Sequence, residues 1–177
     1  MKHIQTVGVI GAGTMGSALA QKFAQEGFKV ILADRAANFV ERGLANIHTT
    51  LEEGIERKVF TKQQGEEYLS NLKGTDSLAD LKVCDLVVEA IFENFTAKVD
   101  LFKSLSVILS KDCIVATNTS SFSVTELAKS ISHPERFIGL HFFYHAAKNR
   151  LVEIIPGEKT SSKTIEATQL FAVLAGK

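Results

Sequence analysis

The sequence predicts an α/β domain with a doubly wound, mostly parallel sheet and a terminal antiparallel hairpin. Three observations carry this. Short β-branched apolar runs alternate with segments of helical period, the pattern of successive βαβ units. A glycine cluster sits where the first run gives way to the first helix. Two last runs, Phe137–Phe142 and Leu151–Ile155, read as the strands of a hairpin.

Thr6–Ile10 is the first strand. Ser17–Glu26 follows as a helix, with Ala18, Leu19 and Phe23 at helical spacing, and Gly27 suits the left-handed residue after it. Lys29–Ala33 is the second strand and ends at Asp34. Ala36–Val59 reads as a long helix and Thr61–Ser70 as another, followed by a weak strand at Leu72–Thr75. Asp85–Ala90 is a near-continuous apolar run, as a strand buried on both faces requires. Asn94–Ser110 is helical and Cys113–Thr117 is a strand. Ser123 and Glu126 form a capping-box signature, so a helix runs from there to about Ser130. Ser161 or Ser162 caps a last helix reaching Gly176, and Pro134 and Pro156 fall in predicted loops.

The 177 residues suit one domain, and 45% hydrophobic residues with 12 Phe suffice for a core. Twenty Lys and Arg balance twenty Asp and Glu. That balance argues against nucleic acid or an acidic membrane as partner, since both need a cationic footprint. No apolar run is long enough to span a bilayer, and the N-terminus lacks a signal-peptide pattern. Cys84 and Cys113 make no disulfide framework and read as buried apolar fillers, and no His/Cys spacing suggests a metal site. His3, His48 and His133 read as surface or turn residues. A cytoplasmic domain is expected.

Gly11-Ala12-Gly13-Thr14-Met15-Gly16 is G-x-G-x-x-G between a strand and a helix, a Rossmann-type dinucleotide loop. Gly11 allows the tight turn, Gly13 lets a pyrophosphate approach the backbone, and Gly16 lets the helix pack on the sheet. The helix start, through Thr14 and Met15, offers N–H groups to the phosphates. Asp34 lies 18 residues past Gly16, where the adenosine ribose sits. A carboxylate there accepts from the 2′-hydroxyl and repels a 2′-phosphate, favouring NAD over NADP, and the adjacent Arg35 weakens that preference slightly.

The second half carries further motifs: Val87-Val88-Glu89-Ala90-Ile91-Phe92-Glu93-Asn94, Thr117-Asn118-Thr119-Ser120-Ser121, Arg136-Phe137-Ile138-Gly139-Leu140-His141-Phe142-Phe143 and Leu151-Val152-Glu153-Ile154-Ile155. With the glycine loop, and in this order from Thr6 to Lys177, they resemble the NAD-binding domain of the 3-hydroxyacyl-CoA dehydrogenase family. The resemblance implies that His141 and Glu153 form a catalytic pair. A hairpin centred on Ala147 agrees, because it sets the two directly opposite on one face. A carboxylate on one ring nitrogen fixes the tautomer a general base needs. The resemblance places Ser120 at the substrate hydroxyl and Asn118 near nicotinamide and substrate. It places Glu93, Lys98 and the Ala90 backbone at the nicotinamide ribose. Ser120 also follows a strand end, where open α/β sheets bind ligands. Thr50 and Arg57 fall near family positions that hold coenzyme A, where Ser and Lys are usual. Seven residues apart, they share one face of the long helix.

The chain departs from the family in reading Tyr144-His145 where Asn-Pro follows the His-Phe-Phe motif, and its Tyr144–Arg150 loop lacks the usual apolar character. That bears on the acyl group rather than the reaction. The resemblance further implies a helical C-terminal domain, absent from this chain, that closes an acyl-CoA site and carries a homodimer contact. The expected function is NAD-dependent oxidation of a (3S)-hydroxyacyl-CoA in fatty-acid or butanoate metabolism, with little turnover by these residues alone. Two other readings stand beside it: a non-catalytic dinucleotide-binding module, and a β-hydroxyacid dehydrogenase that uses a lysine base in its helical domain.

Overall fold

A computed structural model describes residues 4–146 and 148–177. Seven strands form one sheet: β1 (Thr6–Ile10), β2 (Lys29–Ala33), β3 (Leu72–Thr75), β4 (Leu86–Glu89), β5 (Ile114–Thr117), β6 (Phe137–Phe142) and β7 (Val152–Pro156). Their order is β3-β2-β1-β4-β5-β6-β7. Every neighbouring pair is parallel except β6 and β7. The chain winds outward from β1 in both directions. The crevice for a ligand therefore opens between the C-terminal ends of β1 and β4.

Period-two alternation assigns the faces. In β1, Val7 and Val9 join Leu19, Phe23, Leu32, Val88, Leu140 and Phe142 in one buried cluster. Ile10 joins Val87, Phe102, Leu105, Val115 and Phe137 in the other. The first face is covered by α1 (Thr14–Gln25), α2 (Ala37–Glu56) and α6 (Ser162–Leu174), the second by α4 (Phe95–Ile108) and α5 (Val124–Ala128). Phe23 of α1 meets Phe171 of α6 at 5.1 Å and Phe142 of β6 at 5.7 Å between ring centroids. This aromatic contact ties the end of β6 to the helix that follows the glycine loop.

Several boundaries differ from expectation. The first helix begins at Thr14, directly on Gly13, so the glycine loop itself is its N-terminus. The long helix stops at Glu56 rather than Val59. There Lys58 takes φ 57°, with Val59 N–H bonded to the Gly54 carbonyl and Lys58 N–H to that of Ile55. That is a Schellman end built on a lysine, so no glycine marked it. The third helix, α3 (Lys62–Ser70), has the complete capping box of Thr61 and Gln64. A 3₁₀ turn at Leu78–Val83 was not legible, and α5 ends at Ala128 instead of near Ser130. The α6 helix, capped by Ser161, ends at Leu174. Neither proline lies in a plain loop. Pro134 opens a 3₁₀ turn, and Pro156 closes β7, an edge strand, where a missing N–H costs no ladder bond.

No helix among the described residues is long and apolar enough to cross a membrane. Cys84 and Cys113 are buried, and burial pushes the Cys84 thiol up to about 12. His48 and His133 lie at the surface beside Glu52 and Glu135, and His3 falls outside the described residues.

Candidate active site

The glycine loop is shaped by contacts that side chains would break. Gly11 has φ 105°, and a Cβ there would meet the Ala90 carbonyl oxygen at 2.5 Å. A Cβ on Gly16 would lie 1.6 Å from the Gly11 oxygen. Gly13 is exposed, and a Cβ there would project into open space with nothing within 4 Å. The first turn of α1, from Thr14, has no side-chain cap. Its leading N–H groups have no acceptor within the helix and offer themselves to an anion beside Gly13. A dinucleotide pyrophosphate fits that cradle. Gly43 was not singled out by sequence reasoning, yet a Cβ there would stand 2.8 Å from the Ala12 Cβ, so α2 presses on the loop from behind.

Asp34 sits at the end of β2 as expected, and its carboxylate is already at work. Oδ2 accepts the Ala12 N–H at 2.7 Å and Oδ1 accepts the Arg35 N–H at 2.7 Å. The acid braces the glycine loop. It lines a lobe of about 370 Å³ with Gly11, Gly13, Arg35, Phe39 and Arg42. Ala90 and Ile91 line this lobe and also a second one, of about 410 Å³, that contains Met15, Glu93, Lys98, Asn118, Ser120 and His141. The two lobes form one cleft across the crevice between β1 and β4.

Behind the second lobe lies an ionic network that sequence reasoning only half saw. Glu89 is fully buried in β4. Its Oε1 accepts from Lys98 Nζ at 2.5 Å and from the Ile91 N–H at 2.8 Å, and its Oε2 accepts from Thr117 Oγ1 at 2.6 Å. Lys98 is 1% exposed, so it is no solvated surface charge, and it also reaches Glu93 Oε2 at 3.2 Å. Glu93 accepts from the Thr119 and Ser121 hydroxyls. Burial pushes the Glu93 carboxyl up, but those hydrogen bonds and the Lys98 charge outweigh it and hold it below the usual carboxylate value. The missed signal was an acid inside the apolar run of β4: such a charge must be paired.

The predicted hairpin pairing is present: His141 of β6 stands opposite Glu153 of β7. His141 Nδ1 lies 2.8 Å from Glu153 Oε2. The turn centre, Ala147, falls outside the described residues. Alternation explains the facing, because Phe142 and Val152 pack with the core and leave His141, which lines the lobe, and Glu153 on the opposite face of the hairpin. Asn118 Oδ1 accepts the Phe142 N–H at 2.8 Å, tying the end of β5 to β6. Ser120 is exposed on the loop after β5 and lines the same lobe. Lys177 was not anticipated. Its Nζ donates to the Ala146 and Asn149 carbonyls and lies 5.8 Å from the Phe142 ring centroid, so it holds the loop beyond β6. Tyr144 and His145 lie on that loop, with Tyr144 at the lobe's edge.

Thr50 and Arg57 lie apart from the cleft. Thr50 donates to the Asn46 carbonyl, and Arg57 pairs with Glu53. Arg57 is the C-cap of α2, where its N–H still bonds the Glu53 carbonyl. Among the described residues no cluster of His, Cys, Asp and Glu could hold a metal.

The model of the family described as "3-hydroxyacyl-CoA dehydrogenase, NAD binding domain" matches residues 6–177. The chain belongs to the 3-hydroxyacyl-CoA dehydrogenase family. It is 40% identical over 174 residues to a 3-hydroxybutyryl-CoA dehydrogenase of Bradyrhizobium diazoefficiens, covering 98% of this chain and 59% of that protein. It is 37% identical to the fatty acid oxidation complex subunit alpha of Idiomarina loihiensis, covering 99% of this chain and 24% of that one. The crystal structure of (S)-3-hydroxybutyryl-CoA dehydrogenase from Ralstonia eutropha superposes with a TM-score of 0.96 at 39% identity, covering 98% of this chain and 62% of that one. The chain thus corresponds to the family's NAD-binding domain and spans about 59% of the length of the Bradyrhizobium relative.

Proposed function

We propose that this domain serves NAD-dependent oxidation of a (3S)-hydroxyacyl-CoA to the 3-ketoacyl-CoA. The observation that carries the reading is His141 on the wall of the cleft beside the glycine loop, with Glu153 at 2.8 Å from its Nδ1. Glu153 accepts the Nδ1 proton of His141. Nε2 is then the lone-pair nitrogen, placed to take the proton of the C3 hydroxyl. The Ser120 hydroxyl donates to the substrate oxygen and holds it in reach of His141. NAD, when bound, supplies the acceptor for the C3 hydride. As His141 gains its proton, Glu153 stabilises the imidazolium across the hairpin. Asn118 keeps β6 in register with β5 through the Phe142 N–H, and Glu93 with Lys98 offers charge-assisted partners to the nicotinamide ribose.

Relatives are named for 3-hydroxybutyryl-CoA and for 3-hydroxyadipyl-CoA. We assign this chain to that class, with Tyr144 at the cleft edge shaping the acyl end. Completing the acyl-CoA site falls to a helical C-terminal domain that also carries a homodimer contact, and two buried thiols suit a reducing, cytoplasmic setting.

The test is acetoacetyl-CoA-dependent oxidation of NADH by the complete protein and by the 177-residue chain. The complete protein turns over, and the chain alone binds NADH with little turnover. His141→Gln in the complete protein lowers kcat by about 10²–10⁴ while NADH still binds. Undiminished turnover by that variant would refute the assignment.

A further inference from the structure

One side chain ties the end of α6 to the loop between β6 and β7. Gly176 takes φ 71°, with its N–H on the Val173 carbonyl and the Lys177 N–H on that of Ala172. This is a Schellman end, which fixes the backbone of the residue after the glycine. That residue is Lys177. Phe171, in the last turn of α6, packs on Phe23, and Phe23 packs on Phe142, so the helix end stands beside the end of β6. From this seat Lys177 Nζ donates to the Asn149 carbonyl at 2.6 Å and to the Ala146 carbonyl, and it lies over the Phe142 ring.

The loop is built around those carbonyls. Ala146 is fully buried in the cluster that holds Phe142. The Lys148 and Asn149 N–H groups both bond the His145 carbonyl at 2.8 Å, closing a turn, and Asn149 Oδ1 accepts the Leu151 N–H at 3.0 Å just before β7. These bonds shape the turn, and Lys177 fastens it to α6. Burial first, and then the neighbouring Lys22, bring the Lys177 ammonium down to about 8, against Glu26, which raises it. An ammonium drawn out of water in this way is tolerated only while its donors are bonded. Tyr144 stands at the start of the same loop, 66% exposed, on the edge of the lobe that contains His141 and Ser120. Lys177 lines neither lobe, so whatever it does for a reaction there it does through the loop.

We propose that Lys177 is a positioning residue for the acyl substrate: seated by the end of α6, it fixes the loop between β6 and β7 and thereby sets where Tyr144 stands at the edge of the lobe. The proposal rests on the reading of that lobe as the acyl-CoA site and names what holds its acyl end in place.

The test is a steady-state comparison in the complete protein, with NADH and acetoacetyl-CoA as substrates and NADH affinity measured separately by calorimetry. Lys177→Met keeps the length of the side chain and removes its donors. It is expected to raise the KM for acetoacetyl-CoA about tenfold, with kcat within about threefold of the parent and the NADH Kd unmoved. Lys177→Arg, which can still donate to both carbonyls, is expected to fall between the parent and Lys177→Met. Tyr144→Ala is expected to raise the same KM, and adding Lys177→Met to it to change KM by less than about threefold, because the two act through one loop. An unmoved KM in Lys177→Met overturns the proposal. So do KM effects of the two substitutions that multiply independently, and a KM rise matched by an equal loss of NADH affinity, which marks general damage to the fold. Where Lys177→Met does not fold, Tyr144→Ala decides, and an unchanged KM there overturns the proposal. A parent protein that binds NADH but does not reduce acetoacetyl-CoA overturns the reading of the lobe and the proposal with it.

Discussion

The two ends of the cleft are built to opposite standards. Around β1, β4 and β5 the chain closes its own site. Gly16 packs against the Gly11 carbonyl, α2 presses on Ala12 through Gly43, and Glu89, Lys98 and Thr117 form a hydrogen-bonded network out of reach of solvent. Along β6 and β7 the His141–Glu153 pair stands at the sheet's edge. The side chain of Glu153 is 52% exposed, and Tyr144, Leu151 and Ile155 present apolar surface beside it. The contrast teaches a division of labour. Coenzyme recognition is held by burial within this domain. The proposed proton-transfer pair is held by strand register and its own hydrogen bond, with Glu153 half-exposed.

The largest expected effect tests the exposed side. Glu153→Gln in the complete enzyme should lower kcat by about 10²–10⁴, since the orienting acid of a histidine base sets its tautomer. Its melting temperature should barely move, because a half-exposed pair adds little stability. A large drop in melting temperature would show that the hairpin depends on this pair for folding and blur the contrast.

Lys98→Ala strikes the buried side. It leaves Glu89 without its counter-ion, and chemical denaturation should report a loss of about 3–5 kcal/mol. A loss like that of a surface pair would mean that water reaches the network.

Gly13→Val separates cradle from scaffold. Its Cβ has nothing within 4 Å, so the melting temperature should hold, while the new side chain fills the pyrophosphate space. Calorimetry should show NADH affinity falling by about tenfold or more. Unchanged affinity would move the pyrophosphate off the loop.

The smallest effect is in acid. The folded chain holds the Glu93 carboxyl below its usual value. Its contribution to stability is therefore complete above the unfolded value, about 4.3, and is lost as pH falls through the lowered folded one. The melting-temperature gap between the parent chain and Glu93→Gln should close as pH is lowered over that range. A gap that widens in acid would reverse the sign.

Much of this was legible in the residues themselves. The glycine loop, Asp34, the strand runs and the opposition of His141 and Glu153 all follow from local pattern, because turn chemistry and two-residue periodicity act over a few positions. The Schellman end at Lys58 escaped because a lysine adopted the conformation that glycine usually marks. The role of Glu89 escaped because a charge in an apolar run announces only that it needs a partner, not which one. Lys98 is nine residues away and Thr117 twenty-eight, and parallel β4–β5 pairing with the seating of α4 brings them together.

The sequence by itself determined the order of elements, the dinucleotide loop and the candidate pair, each a matter of neighbours along the chain. Only the tertiary structure decided that Asp34 braces the loop, that Lys98 is buried, that Lys177 holds the loop after β6, and that Phe39 gathers two arginines at the cleft. These depend on which faces meet once the sheet is wound and water is expelled, and burial, not residue type, sets what each charge must do.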